Sequence, residues 1–256
     1  MGLHMSTELL FSKIVIVGAG TMGRGIAQVC AMAGYQTILN DVSTDTLMTA
    51  KTQIHTNLDK GVARGKVSND TRQQCLANLS FSTELIDSIQ EAEMVIEAVP
   101  ENMNLKKSLL DTIDQYTPEH CIIGTNTSSL SIAELANSTS DASRVIGMHF
   151  FNPVHIMKLL EIVFVPELTG NDVITATEQF AETIGKTSIL VKNAPGFATS
   201  RLGIALGMEA IRMLEEGVAS AEDIDTAMVL GYKHPIGPLK LTDLVGLDVR
   251  MDIGTY

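Results

Sequence analysis

The chain has 256 residues, 45% hydrophobic and 19% charged, so it can bury a core in one large domain or in two of ordinary size. Its 30 acidic and 18 basic residues give a formal net charge of -12, which argues against nucleic-acid binding because such a chain repels a phosphate backbone. No apolar run is long enough to span a membrane. The three cysteines are odd in number and widely spaced, so we expect a reducing compartment and a cytoplasmic protein.

Short apolar runs alternate with helical stretches in the first part of the chain. The runs span residues 13–17, 37–40, 93–99, 121–124, 144–150, 159–165 and 188–191. The first run has no polar alternation, as is typical of a parallel strand covered on both faces. The alternation predicts an α/β fold with a doubly wound, mostly parallel Rossmann-type sheet. The short spacing between the runs at 144–150 and 159–165 favours antiparallel pairing there.

A turn-like stretch at residues 193–196 is followed by helical patterns at 197–216 and 221–230. We therefore predict a Rossmann-type domain over residues 1–192 and a smaller all-α domain over residues 193–256. Residues 193–256 are fewer than a self-sufficient domain usually has. We expect them to pack against the first domain or against a second subunit, because so short a segment forms a poor core alone.

A glycine-rich loop follows the first apolar run and opens a helix. The loop consists of Gly18, Ala19, Gly20, Thr21, Met22 and Gly23. Its first glycine permits a tight turn, the second admits a pyrophosphate to the backbone, and the third allows close helix–strand packing. Asp41 directly follows the second run, at a position where a carboxylate binds ribose hydroxyls and repels a 2′-phosphate. This order predicts NAD binding, against the alternative of a structural turn and an unrelated surface aspartate.

His149 lies near the end of an apolar run, and ligands bind beyond the carboxyl ends of strands in such sheets. Glu161 lies within the next run, where a carboxylate is costly unless it is paired. If the two strands are neighbours, Glu161 can contact one imidazole nitrogen and leave the other as a general base. A buried histidine bonded to a backbone carbonyl, with Glu161 facing solvent, fits the spacing equally well. His149 and His155 have no third ligand at a recognisable spacing, so we expect no metal.

A polar loop at residues 125–129 follows the run at 121–124. Ser129 or Ser131 is suited to cap the next helix. A serine of this loop can alternatively bind a substrate oxygen. The sequence contains no G-x-S-x-G, which argues against a serine hydrolase.

These motifs together resemble the 3-hydroxyacyl-CoA dehydrogenase family, particularly its short-chain 3-hydroxybutyryl-CoA dehydrogenase members. The resemblance covers nearly the whole chain and rests most specifically on NTSS at 126–129 and HFFNP at 149–153. The segments GAGTMG at 18–23, EAVPEN at 97–102 and PGF at 195–197 add to it. It implies NAD-dependent interconversion of a (3S)-3-hydroxyacyl-CoA and a 3-ketoacyl-CoA in fatty-acid β-oxidation, usually by a homodimer.

Carried over by position, the resemblance assigns His149 as general base, Glu161 as the residue that orients it, and Ser128 and Ser200 as ligands of the substrate oxygen. It matches cofactor-contacting positions to Glu101, Lys106, Ser128 and Asn152. Glu101 and Lys106 also fit an exposed acid at a helix start and a solvated lysine. Ser200 is a shorter side chain than the asparagine usual in relatives, and the chain lacks their last helical stretch.

Residues 51–66 carry a local excess of positive charge, with Lys51, Lys60, Arg64 and Lys66 against Asp59. Lys60 and Arg64 share one helix face. A solvated basic face is the ordinary interpretation. The resemblance favours a site for the CoA phosphates, with Asn57 and Arg64 at the positions near CoA.

Two other functions remain open on the sequence. One is a β-hydroxyacid dehydrogenase that acts on a free acid, although such enzymes use a lysine base. The other is a non-catalytic, crystallin-like NAD-binding relative.

Overall fold

The computed structural model describes residues 9–247, and the chain divides into two units. The first takes the chain up to Thr127 together with Ser131–Asn193, and the second takes Ser128–Leu130 and the chain from Ala194 onward. The ends of the two predicted domains, residues 1–8 and 248–256, lie outside the described residues.

The first unit contains an 8-stranded sheet. Its strands are β1 Lys13–Val17, β2 Gln36–Asn40, β3 Leu79–Ser82, β4 Met94–Glu97, β5 Ile122–Thr125, β6 Val145–Phe150, β7 Leu159–Phe164 and β8 Thr187–Lys192. They lie in the order β3-β2-β1-β4-β5-β6-β7-β8. Every neighbouring pair is parallel except β6 and β7, which are antiparallel. The predicted sheet and its antiparallel pair are confirmed.

Seven helices connect these strands. They are α1 Thr21–Met32, α2 Thr44–Ala63, α3 Asn69–Asn78, α4 Leu85–Ile89, α5 Met103–Tyr116, α6 Ile132–Ala136 and α7 Asn171–Thr183. A 3₁₀ turn at Ala142–Arg144 precedes β6. Ser131 caps α6 by accepting from the backbone N–H of Glu134, which settles the choice between Ser129 and Ser131 for this cap.

The centre of the sheet fixes where a ligand can bind. β4, β5 and β6 are buried at every position, which requires cover on both faces of the sheet. β1 pairs with β2 on one side and β4 on the other, so the chain changes winding direction at β1. Open α/β sheets bind ligands beyond the carboxyl ends of the strands at this change of direction.

One strand escaped the sequence prediction. β3 has the sequence LSFS and is half-buried at most positions at the edge of the sheet. Its alternation of polar and apolar residues differs from the continuous apolar runs used to identify the other strands. An edge strand needs no such run because fewer of its side chains are buried.

The second unit is helical. Its helices are α8 Thr199–Glu215, α9 Ala221–Thr226 and α10 Pro238–Val245, with a π-helical turn at Ala227–Gly231 after α9. Asp225 accepts from the backbone N–H groups of Leu239 and Lys240 and thereby caps α10, whose N-cap residue is Gly237. The two predicted helices are confirmed, although the second becomes π-helical at its end. Within residues 9–247, no helix is both long and apolar enough to cross a bilayer.

Candidate active site

The central feature of the first unit is a buried contact between His149 and Glu161. The antiparallel register of β6 and β7 sets the two residues directly opposite each other. His149 Nδ1 lies 2.6 Å from Glu161 Oε2. Glu161 is fully buried and His149 is 7% exposed. The predicted contact is therefore confirmed, and the alternative of a solvent-facing Glu161 is wrong.

The contact determines which tautomer of His149 is favoured. A carboxylate at Nδ1 favours the proton on that nitrogen and leaves the lone pair on Nε2, where a general base needs it. The ring of Phe151 packs against the imidazole, with ring centroids 4.4 Å apart. His149 is thus held from two sides near the carboxyl end of β6.

The glycine loop fits a dinucleotide at each of its three glycines. Gly18 has a φ of +99°, and a Cβ there would lie 2.7 Å from the carbonyl oxygen of Ala98. A Cβ on Gly23 would lie 1.7 Å from the carbonyl oxygen of Gly18. A Cβ on Gly20 would meet no atom within 4 Å. The first and third glycines are therefore required by packing, whereas the second leaves open the space that a pyrophosphate needs.

The start of α1 is suited to an anion. Thr21, Met22 and Gly23 form its first turn, and its N-cap residue Gly20 has no side chain to occupy the terminal N–H groups. No acidic residue lies in this first turn. The helix N-terminus therefore presents backbone donors and positive potential to a phosphate.

Asp41 lies directly after β2 and is joined to the glycine loop. Its Oδ2 accepts from the backbone N–H of Ala19 at 2.8 Å, and its Oδ1 accepts from that of Ser43 at 2.9 Å. These bonds fix the carboxylate beside the loop. Each oxygen keeps a further lone pair with which to accept from a ribose hydroxyl.

A fully buried ion pair joins the ends of β4 and β5 to α5. Lys106 Nζ lies 2.6 Å from Glu97 Oε1, and their side chains are 1% and 0% exposed. Glu97 also accepts from Thr125 Oγ1 at 2.7 Å and from the backbone N–H of Val99 at 2.7 Å. Lys106 donates in addition to the carbonyl oxygen of Val99. The alternative of a solvated Lys106 is therefore wrong.

This network reaches the loop that carries Ser128. Lys106 Nζ lies 3.4 Å from Glu101 Oε2, and Glu101 accepts a short hydrogen bond from Thr127 Oγ1. Asn126 Oδ1 accepts from the backbone N–H of Phe150 at 3.0 Å and so links this loop to the end of β6. Glu101 is exposed and lies shortly before α5, so the alternative of an exposed acid near a helix start fits its position.

The remaining predicted site residues lie on three segments. Asn152 is exposed and lies two residues after the end of β6. Ser128 follows Thr127 in the loop after β5, and Ser200 lies in the first turn of α8. Ser128 and Ser200 both belong to the second unit.

A basic pocket of about 710 Å³ lies in the first unit. Asn57 lines it together with five cationic side chains, Lys60, Arg64, Lys66, Lys158 and Lys186. None of the residues that line it within the described part of the chain is acidic. Asn57 and Arg64 are thus brought together as predicted. Lys51 is not among the lining residues, and its ammonium lies over the ring of Phe81.

Two lining groups titrate abnormally. Burial, with the positive charge of Lys158, lowers the pKa of Lys186 to about 8. Burial and the charge of Lys186 lower the pKa of His155. Burial is the larger cause of both shifts and neighbouring positive charge the smaller one, and a polyanionic ligand would offset the second.

Several residues that the structure brings to the site were not predicted from the sequence. Glu97, Thr125, Asn126 and Lys186 are the main examples. The role of Glu97 could have been predicted, because a carboxylate within an apolar run needs a partner and a lysine follows nine residues later. In residues 9–247, no three His, Cys, Asp or Glu side chains are grouped so that they could hold a metal ion.

Comparisons with known proteins agree with this geometry. The model of the 3-hydroxyacyl-CoA dehydrogenase NAD-binding domain matches residues 13–194, and that of the family's C-terminal domain matches residues 196–256. The chain is 40% identical to mitochondrial hydroxyacyl-coenzyme A dehydrogenase of Sus scrofa, over 94% of this chain and 78% of the relative. It is 40% identical to 3-hydroxybutyryl-CoA dehydrogenase of Clostridioides difficile, over 94% and 85% of the two chains. The crystal structure of (S)-3-hydroxybutyryl-CoA dehydrogenase from Ralstonia eutropha matches with a TM-score of 0.92 and 41% identity, over 95% and 85% of the two chains.

Proposed function

The chain belongs to the 3-hydroxyacyl-CoA dehydrogenase family and is an NAD-dependent oxidoreductase, and we propose that it interconverts short-chain (3S)-3-hydroxyacyl-CoA and 3-ketoacyl-CoA thioesters. The 3-hydroxybutyryl and acetoacetyl thioesters are the expected pair, because relatives of about 40% identity are 3-hydroxybutyryl-CoA dehydrogenases. The observation that carries the proposal is the buried His149–Glu161 contact at the carboxyl end of β6.

His149 moves the proton in this reaction. In the oxidative direction its Nε2 accepts the proton of the 3-hydroxyl group as the carbonyl forms. Glu161 holds the ring in the required tautomer and stabilises the imidazolium that results. In the reductive direction the protonated ring returns the proton to the 3-oxygen. Bound NAD supplies the hydride acceptor, and NADH the donor.

The glycine loop and Asp41 hold the cofactor. Gly20, Thr21, Met22 and Gly23 would bind the pyrophosphate through backbone N–H groups, and Asp41 would bind the adenosine ribose. Gly18 would contribute the tight turn, because its own N–H donates to the carbonyl oxygen of Asn40. Glu101 and Asn152 are exposed and able to contact the cofactor directly. Lys106 is buried on Glu97 and Val99, so its contribution is to orient Glu101 and the backbone before it.

Two groups of residues would bind different parts of the substrate. Ser128 and Ser200 would donate to the 3-oxygen and the thioester oxygen, and both carry hydroxyl groups suited to this. Asn57 and Arg64 would bind the CoA nucleotide, within a pocket whose other cations match a polyanion.

A spectrophotometric NADH assay with acetoacetyl-CoA tests the proposal. We expect His149→Gln to lower kcat at least about tenfold with nearly unchanged NADH affinity, because a positioned base contributes about 10² to 10⁴-fold. Glu161→Gln keeps the shape and removes the charge, so it should lower kcat as well. His120→Gln, a change at an exposed histidine, is the matched control and should behave as wild type. Unchanged turnover in the His149 variant would remove that residue from the mechanism.

The same assay separates the two alternatives. Activity on free acetoacetate equal to that on the thioester would indicate a β-hydroxyacid dehydrogenase. NADH binding without turnover of either compound would indicate a non-catalytic relative.

A homodimer is part of the proposal. Large apolar side chains are exposed on the helices of the second unit, including Leu202 at 65% and Leu206 at 44% on α8 and Leu244 at 76% on α10. A set of this kind on so small a unit is typical of a surface that another copy covers. Leu206→Glu should shift the mass measured by light scattering toward the monomer. An unchanged mass would exclude α8 from the interface.

A cytoplasmic location and a role in β-oxidation complete the proposal. All three cysteines are free and buried, as suits a reducing compartment. Fractionation of cells that express the chain would test the location, and a deletion strain grown on a short-chain fatty acid would test the role.

A further inference from the structure

Lys186 binds backbone rather than a carboxylate. It lies between α7 and β8, and its ammonium donates to the carbonyl oxygens of Val154 and Met157, the latter at 2.6 Å. Both carbonyls belong to the segment 151–158, which joins β6 to β7. Lys186 is therefore a cross-link between the start of β8 and the connection that separates His149 from Glu161.

The segment 151–158 is held at few other points. Val154 is 2% exposed and packs on α1 at Gly25, where a Cβ would come within 2.9 Å of it. The carbonyl oxygen of Lys158 accepts from the backbone N–H of Thr187 at 2.7 Å. Between these two anchors, the N–H groups of Ile156 and Met157 turn back onto Pro153. Lys186 supplies the bond that joins this turn to the sheet.

The position of the segment matters for the site. Its first residue, Phe151, packs against the imidazole of His149. Its second, Asn152, is exposed beside the end of β6. A displacement of the segment would therefore move the two groups that flank the base.

The surroundings of Lys186 oppose a positive charge. Lys158 and His155 face it from the segment, and Lys60, Arg64 and Lys66 line the same pocket from α2 and the turn after it. Among residues 9–247, Cys30 of α1 is a further titratable neighbour, and burial raises the pKa of its thiol, so it stays neutral. The two hydrogen bonds to carbonyl oxygens stabilise the Lys186 ammonium against this repulsion. Lys158, by contrast, is exposed and suited to binding an anion from solvent.

We propose that Lys186 is a positioning residue for the dehydrogenase reaction, which fixes Phe151 and Asn152 beside His149 by holding the carbonyls of Val154 and Met157. The inference rests on the proposed function for its kinetic consequence. It does not require that Lys186 bind the CoA phosphates, although it lines the pocket proposed for them.

Kinetics with two substrates separates positioning from phosphate binding. We expect Lys186→Met to lower kcat about tenfold with acetoacetyl-CoA and equally with acetoacetyl-pantetheine, which lacks the nucleotide, because misplaced groups slow the chemical step. Lys186→Arg should recover most of kcat because it restores the charged donors. Lys158→Met should raise KM for the CoA thioester without lowering kcat, and should not affect the pantetheine thioester. A Lys186→Met effect confined to KM for the CoA thioester would overturn the proposal.

Hydrogen–deuterium exchange gives a readout that does not depend on activity. The amides of Ile156 and Met157 should exchange at least about fivefold faster in Lys186→Met than in wild type, and at the wild-type rate in Lys158→Met. Unchanged exchange in Lys186→Met would overturn the proposal even if the enzyme is active. If wild type fails to reduce acetoacetyl-CoA, the proposed function fails, whereas the exchange result still decides whether Lys186 holds the segment.

Discussion

The buried pair of Lys106 and Glu97 allows a quantitative prediction for stability. In Lys106→Met, the Glu97 carboxylate keeps the Thr125 hydroxyl and the Val99 N–H but loses its only cation within 4 Å among the described residues. Removing one partner of a buried pair costs about 3–5 kcal/mol because the other charge stays buried. Glu97→Gln should also be destabilising but less so, since Lys106 keeps the partly exposed Glu101 carboxylate 3.4 Å away.

The double variant distinguishes this reasoning from a simple loss of packing. Replacing both members of a buried ion pair by uncharged residues of similar volume often changes the free energy of unfolding very little. Lys106→Met combined with Glu97→Gln should therefore be more stable than either single variant, with a coupling energy of at least about 2 kcal/mol. Lys107→Met is the matched control on the same helix, because the pair of Lys107 and Glu134 is partly exposed and should contribute less than about 1 kcal/mol.

Urea denaturation followed by far-ultraviolet circular dichroism measures these differences, since the chain has no tryptophan. In thermal unfolding, about 3–5 kcal/mol corresponds to a decrease in Tm of about 6–20 °C for a chain of this size. A Lys106→Met variant within about 1 kcal/mol of wild type would refute the reasoning. Strict additivity in the double variant would refute it as well.

Three further predictions concern the cofactor site and acid stability. Gly20→Ala should fold as wild type but lower NADH affinity at least about tenfold in equilibrium binding, because the added Cβ enters the open space that a phosphate would occupy. Gly23→Ala should instead be destabilised in urea titration, because its Cβ clashes with the carbonyl oxygen of Gly18. Asp41→Asn keeps one acceptor oxygen and removes the charge, so the preference for NADH over NADPH, as a ratio of kcat/KM values, should fall about tenfold. Burial alone would raise the pKa of Asp114, but hydrogen bonds from Ser140 and the Arg144 guanidinium hold it below its ordinary value. The stabilisation that follows from this lowered pKa is present above the ordinary pKa of an aspartate and is lost as the pH falls through the lowered pKa of Asp114. Asp114→Asn should therefore flatten the acid limb of a plot of unfolding free energy against pH, and an unchanged limb would contradict this.

The sequence predicted those features that depend on one element and its neighbour in the chain. The glycine loop and Asp41 lie within a single strand–helix–strand unit, so their order is visible in the sequence. The contact of His149 with Glu161 was one of two open interpretations, and the antiparallel register decided between them.

The remaining features depend on contacts between distant elements. The sequence identified Lys60 and Arg64 through a local excess of charge, but Lys158 and Lys186 join the same pocket from far along the chain. The contacts of Lys186 are to backbone carbonyls, which leave no pattern in the identity of the partner residues. β3 has polar and apolar residues mixed, so hydrophobicity alone did not identify it.

The antiparallel register of β6 and β7 has a consequence for how His149, the proposed base, is oriented. His149 and Glu161 are brought together by backbone pairing, so the imidazole is oriented as soon as the two strands align during folding. The entropy of ordering the ring is therefore lost when the protein folds and not when a substrate arrives. A slip of one residue between these strands would turn one partner to the opposite face of the sheet, so the proposed role of His149 depends on correct strand alignment.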